Sequence, residues 1–279
     1  DRVRLVFLGT PDMAVAPLRA LVDAGHEIVL VVTSVDKRRG RGASVTPSPV
    51  KATALELGLA VSHSVEDVLD AVREQGAELG VVVAFGQIIK PHVLAEIPMV
   101  NLHFSLLPRW RGAAPVERAL LAGDAVTGVC VMAVEEGLDT GGVLACCEVP
   151  IELETTASEL RSELVEVGTA LLVDTLERPL HEWIGEPEPQ TGEVTYAAKL
   201  ASTDFEIDWS LSAPEVHRLI RVGGAWTTFR GRRLKINEAR LIDAKVLPMV
   251  VQPEGRAAMT FDAWRNGARP TSDELFGDS

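Results

Sequence analysis

A chain of 279 residues is long for one domain and fits two, and its 47% hydrophobic and 24% charged content excludes extended disorder. No run approaches the ~18 consecutive apolar residues of a membrane span, and the start, DRVRLVFLGTPD, enters a strand pattern rather than a signal-peptide core. A cytoplasmic protein is expected. The net charge of −13 argues against a polyanionic partner, yet two local basic clusters leave that question open: Lys37, Arg38, Arg39 and Arg41, then Arg218, Arg221, Arg230, Arg232, Arg233 and Lys235. Either cluster also fits a solvated face. Cys130, Cys146 and Cys147 have no metal-ligand spacing and are expected to be reduced thiols. As neighbours on one strand, Cys146 and Cys147 should face opposite sides.

The first half alternates short apolar runs with helical patterns. Val3–Leu8 reads as a strand, Ala14–Ala24 as a helix closed by Gly25, and Ile28–Val32 as the second strand. A loop rich in Lys, Arg, Gly, Ser and Pro follows from about Asp36 to Pro49. Val50–Leu57 and Val65–Glu74 have helical spacing, and Leu79–Ala84 and Val100–Phe104 read as strands. Pro115 opens a helix that Gly123 closes. Val129–Val134 and Val143–Val149 read as strands, and Ala157–Leu176 as a long amphipathic helix. Strands apolar throughout, alternating with helices, predict a mostly parallel sheet covered on both faces.

The stretch Gly185–Val194 (GEPEPQTGEV) has the composition of a linker. Beyond it a helix over Leu211–Val222 precedes two short strands, Trp226–Arg230 and Arg233–Arg240, joined at Gly231-Arg232. A small β-rich second domain is therefore expected. Between about Lys245 and Gln252 the further strands expected of such a domain are missing, and LPMVVQPEG reads like a junction.

Chemistry concentrates in two segments. NLHFSLLPRWRGAAP (Asn101–Pro115) follows a strand and precedes a helix, at the sheet end where open α/β folds bind ligands. Asn101 and His103 are two positions apart, which puts both on one face of a strand. An amide and an imidazole converging on one point suit acyl transfer: the first stabilises an oxyanion and the second handles a proton. The same two residues also fit a strand end satisfied by backbone bonds. VEEGLDTGG (Val134–Gly142) places Asp139 among glycines that permit close approach to a ligand, or simply an Asx-type turn. His26, His63, His92, His181 and His217 have no partner at a ligand spacing and read as structural. G-x-G-x-x-G is absent, so no dinucleotide fingerprint is present.

These segments resemble the folate-dependent formyltransferase family, in which N-x-H-x-S-L-L-P-x-x-R-G-A-A-P is followed some two dozen residues later by G-L-D-T-G. FLGTPDMAV, GRG…PSPVK (Gly40–Lys51), TYAAKL (Thr195–Leu200), IDWS (Ile207–Ser210) and QPEGR…M (Gln252–Met259) are similar to the branch that acts on aminoacylated initiator tRNA. The resemblance spans almost the whole chain. It implies a Rossmann-like catalytic domain over 1–183, a linker over 184–205 and a small OB-like β-barrel over 206–279 that binds tRNA. It also implies a catalytic trio of Asn101, His103 and Asp139. Ser105, Leu106, Leu107 and Pro108, with Phe85, Gly86, Gln87 and Ile88, would line the site for 10-formyltetrahydrofolate, a co-substrate. Arg41, with Arg38 and Arg39, would reach methionyl-initiator tRNA. Phe104 stands where a small residue is frequent. No metal is implied, and a monomer is expected. Two other acceptors remain to be weighed within the family: a small amine, or water in a hydrolase. An RNA-binding protein on a degenerate folate fold is the non-catalytic alternative, and the intact trio argues against it.

Overall fold

The structure is a computed structural model, and it describes residues 2–38 and 44–277. These divide into two compact units, the first drawn from residues 1–113, 127–149 and 161–196, the second from 114–126, 150–160 and 197–279.

The first unit is built on a seven-stranded sheet. Its strands are β1 (Arg4–Gly9), β2 (Glu27–Val32), β3 (Val61–Ser62), β4 (Leu79–Val83), β5 (Met99–His103), β6 (Val126–Ala133) and β7 (Val143–Pro150). They lie in the order β7-β6-β5-β4-β1-β2-β3. Pairing is parallel from β3 to β5, and β6 runs antiparallel to β5. The sheet is thus mostly parallel, as the apolar runs predict, with an antiparallel margin beside the strand that carries Asn101 and His103. Every residue of β4, and all of β1 after Arg4, is buried. Burial of each large apolar side chain of this kind contributes about 1.5–3 kcal/mol relative to exposure.

Helices α1 (Val15–Asp23), α2 (Pro49–Glu56), α3 (Asp67–Gln75) and α5 (Ala157–Glu177) flank these strands in sequence, with α4 (Pro115–Ala122) between β5 and β6. The start of α2 follows from its residues: Ser48 accepts a bond from Lys51 N at 3.0 Å, and Pro49 supplies a first helical residue that needs no partner. A Cβ on Gly168 of α5 would lie 3.0–3.3 Å from Val129 and Leu102, so that helix covers the sheet face onto which Leu102 projects. His103 and Asn101 project from the opposite face by strand alternation.

The cysteine expectation is corrected. Cys130 on β6 and Cys146 on β7 are disulfide-bonded, and only Cys147 is free. Sequence spacing cannot reveal that pairing, because it depends on how two neighbouring strands register. Cys147 does point away from the pair, as alternation requires.

The second unit holds α4, α6 (Ala213–Val222) and a four-stranded antiparallel sheet of β8 (Trp226–Phe229), β9 (Arg232–Ile242), β10 (Lys245–Pro253) and β11 (Met259–Thr260), followed by α7 (Phe261–Ala268). The junction reading of LPMVVQPEG is corrected: its first seven residues, 247–253, lie in β10, which pairs along β9 through a turn at Asp243 and Ala244, both at positive φ. The first hairpin turns at Arg230-Gly231, one position earlier than the sequence suggests, because those two residues take the left-handed angles. Residues 150–160 belong to this unit because α6 grips them: Arg221 donates to Thr155 O at 2.7 Å and Glu152 O at 3.0 Å, and buried His217 lies 3.0 Å from Glu154. The core packs Ile207, Val216, Ile220, Leu234, Ile236, Val251 and Trp264. Phe276 joins an aromatic cluster with Trp209, Phe229 and Trp264, and Arg230 binds Glu274 close by. The hydrogen bonds from Arg230 hold the Glu274 carboxyl down at about 2, so this ion pair persists until pH falls far below the ordinary carboxylate range.

Candidate active site

The site forms at the carboxyl ends of the central strands, where the chain leaves the sheet and polar groups can gather without being buried in it. A Cβ on Gly9, the last residue of β1, would lie 2.8 Å from Val83 O, so a glycine is what lets β1 and β4 end side by side. Just beyond them, Thr10 Oγ1 meets Ser34 Oγ at 3.0 Å, and Gln87 Nε2 donates to Ser34 Oγ at 3.4 Å. This network draws together the loops that follow β1, β2 and β4.

Asn101 lies on β5 between Val82 of β4 and Met132 of β6, and His103 lies opposite Cys130 of β6. Asn101 is half-buried, and no hydrogen bond engages its side-chain amide among the described residues. His103 is buried, with Nε2 2.9 Å from Trp110 O. A carbonyl oxygen only accepts, so Nε2 carries a proton and Nδ1 is the nitrogen free to gain or lose one. Nδ1 faces Asp139 Oδ2 at 3.7 Å. That distance suits an ion pair and exceeds a hydrogen bond; catalytic contacts commonly tighten when substrate arrives.

Asp139 is held from several sides. Its backbone adopts φ 50°, a left-handed angle that Asp tolerates better than most residues. Its Oδ2 accepts from Gly112 N at 2.8 Å, and its carbonyl accepts from Gln190 Nε2 at 2.7 Å. Gln190 Nε2 also donates to Gly141 O at 2.8 Å, and its Oε1 accepts from Arg111 Nε and Nη2 at 3.1 and 2.7 Å. Gln190 therefore ties the Asp139 loop to the segment after β5. Composition places Gln190 in a linker, and no local signal separates it from its Pro- and Glu-rich neighbours. Within the first unit, Glu188 of this stretch pairs with Val143, and just beyond it Thr195 Oγ1 accepts from Trp110 N at 2.9 Å.

Gly141 fixes the loop sterically. A Cβ there would sit 1.8 Å from Ala133 O, a backbone atom that cannot swing aside. Gly141→Ala is expected to destabilise the protein by about 1–3 kcal/mol, the usual range for forcing an added group into a packed site. The midpoint of denaturant unfolding measures it, and an unchanged midpoint would show that the loop relaxes freely.

The residues expected to line a folate site are distributed unequally. Phe85 is buried in the core with Val82, Ile89 and Val93. Gly86, Gln87 and Ile88 are exposed, Ile88 at 88%. Ser105 is buried and donates to Arg109 O at 2.5 Å, while Leu106 and Leu107 are half-buried and Pro108 is buried. Phe104 is buried also. Of the candidate tRNA contacts, Arg38 is exposed on a two-residue strand, Lys37–Arg38, that pairs antiparallel with Val45–Thr46; Arg39 and Arg41 lie outside the described residues. Beside that pair, Lys51 Nζ lies 2.9 Å from Asp36 and 3.3 Å from His63 Nε2. His26 has a structural partner: its Nδ1 accepts from Val3 N, and burial pushes that imidazole down toward its neutral form.

The formyl transferase family matches residues 3–176, more than half of the chain, and the family's C-terminal domain matches residues 199–249. Curated relatives named methionyl-tRNA formyltransferase include that of Roseobacter denitrificans, 46% identical over 90% of this chain and 85% of its own length, and that of Symbiobacterium thermophilum, 41% identical over 95% and 92%. The chain belongs to the methionyl-tRNA formyltransferases. It is thus a formyl-transferring enzyme. Among solved structures, the methionyl-tRNA formyltransferase from Clostridium thermocellum aligns with TM-score 0.61 over 90% of this chain and 98% of that one, at 14% identity. HypX from Aquifex aeolicus, in complex with tetrahydrofolic acid, aligns with TM-score 0.67 at 15% identity over all of this chain and 51% of that one. These two share the fold. Among the described residues, no helix is long and apolar enough to cross a membrane.

Proposed function

We propose that this chain moves the formyl group of 10-formyltetrahydrofolate to the free α-amino group of methionyl-initiator tRNA, acting as a monomer in the cytoplasm. One observation carries the chemistry: Asn101 and His103 share a face of β5, and Asp139 stands 3.7 Å from His103 Nδ1. The α-amine has an ordinary pKa of about 7.7–8.0, so a useful fraction is neutral near neutrality. Its nitrogen attacks the formyl carbon, and the carbonyl electrons move to oxygen. The amide of Asn101, unengaged in the protein, donates to that oxyanion, with the His103 imidazole beside it. The amine gives up a proton toward Asp139, directly or through one water. N10 takes up a proton as its bond to the formyl carbon breaks, releasing tetrahydrofolate and the formylated aminoacyl-tRNA. Ser105–Pro108 and the strip Phe85–Ile88 follow neighbouring strands and supply the walls for the folate.

Residues 1–183 carry this chemistry in the proposal, 184–205 connect, and 206–279 bind tRNA together with Arg38, Arg39 and Arg41. The second unit offers a cleft of about 450 Å³ whose lining brings Arg230, Arg232, Arg233 and Arg256 together with Glu254, an excess of cations on an acidic protein. The deciding experiment supplies formyl-labelled donor with charged initiator tRNA, an amino-sugar nucleotide, glycinamide ribonucleotide or water alone. Label in the tRNA supports the reading. Label released only as formate, or moved only to a small amine, overturns it. Arg41→Ala is expected to raise the KM for charged tRNA, leave the KM for the formyl donor unchanged and flatten the log–log salt slope by about one. Equal tRNA kinetics and an equal slope would leave 206–279 as the sole tRNA-binding surface.

A further inference from the structure

The disulfide between Cys130 and Cys146 bridges a sequence separation of 16 and encloses residues 131–145, which include the loop 134–142 that carries Asp139. Cys130 is also the cross-strand partner of His103, and antiparallel partners project to the same face. One crosslink therefore lies in the row of the sheet that presents His103, and it closes the base of the loop that presents Asp139. The two ends differ in access. Cys130 is fully buried, whereas Cys146 is exposed on the edge strand β7.

We propose that the Cys130–Cys146 crosslink is a positioning element for Asp139, opened by low-molecular-weight thiols at Cys146, so that formyl transfer depends on the thiol–disulfide state of the protein. The kinetic part of this inference rests on the function proposed above; the structural part does not. A thiolate attacks Sγ of Cys146, forming a mixed disulfide there and releasing Cys130 as thiolate. A second thiolate attacks the outer sulfur of the mixed disulfide and releases Cys146. The net exchange converts one protein disulfide and two thiols into two protein thiols and one small disulfide, a two-electron reduction of the protein, with both protons supplied by the incoming thiols. Cys147 is not the resolving thiol, because it projects from the other face of β7.

Opening the crosslink leaves the loop its bonds to Gln190 and Gly112, so the loop loosens rather than unfolds. A chain segment freed from a covalent closure samples more conformations. Asp139 then spends less time within reach of His103, and a misplacement of this kind lowers turnover without touching the folate walls.

The test begins with alkylation of the denatured, unreduced protein by iodoacetamide, read by mass. One modified cysteine is expected, rising to three after reduction. Amide hydrogen exchange is then followed over 135–142 in the oxidised and reduced protein, and faster exchange on reduction is expected. Reduction should also lower kcat on the order of tenfold while the KM for the formyl donor holds, and reoxidation should restore it. Cys146→Ser should reproduce the reduced state and lose its response to thiols; Cys147→Ser should retain the wild-type response. Three modified cysteines without reductant, equal exchange in the two states, or an unchanged kcat on reduction would each overturn the proposal. A protein whose exchange responds to reduction but which moves no formyl group would refute the proposed function and leave the crosslink's role standing.

Discussion

Replacing His103 by alanine is expected to lower kcat for formyl transfer by about 10²–10³, with little change in the KM for the formyl donor, and Asn101→Ala should do the same. Both side chains leave one face of β5, at a strand end where the neighbouring loops converge. The Asn101 amide has no partner of its own among the described residues, so it is available to an oxyanion that exists only after attack. Donors that strengthen in the transition state alone show up in kcat rather than in ground-state binding. Steady-state transfer with each variant measures this, and turnover within threefold of the unmodified enzyme would remove the residue from the catalytic assignment.

Asp139→Asn is expected to lower kcat on the order of 10²-fold, within the range for loss of a general base, while preserving the fold. The substitution is nearly isosteric. Its amide oxygen can still accept from Gly112 N, which keeps the loop in place. That oxygen takes the place of Oδ2, the atom that also faces His103 Nδ1, so the side chain keeps its position and loses only the charge that can take up a proton. Steady-state transfer measures it, and a rate matching the unmodified enzyme would make Asp139 a turn residue and nothing more. Together with Gly141→Ala, which acts on the same loop through stability, the pair separates the charge at Asp139 from its placement.

Much of this protein was legible before any coordinates. The apolar runs of β1, β2, β4 and β5 placed a mostly parallel sheet, because strands buried on both faces have no polar positions to alternate. The two-residue spacing of Asn101 and His103 put them on one face, since strand side chains alternate with period two. Local features of this kind depend on residues within a few positions of each other. What depended on distant residues was not legible. Gln190 reaches Asp139 across 51 positions, and nothing in GEPEPQTGEV distinguishes it from a linker glutamine. Residues 150–160 join the second unit through Arg221 and His217, 63 to 69 positions away. The disulfide escaped for the same reason: three sparse cysteines carry no pairing information until β6 and β7 are set side by side. The sequence alone determined which chemical groups are present and which strand presents them. Only the tertiary structure decided which groups meet, because register and chain return are set by the packing of the whole sheet rather than by any local pattern.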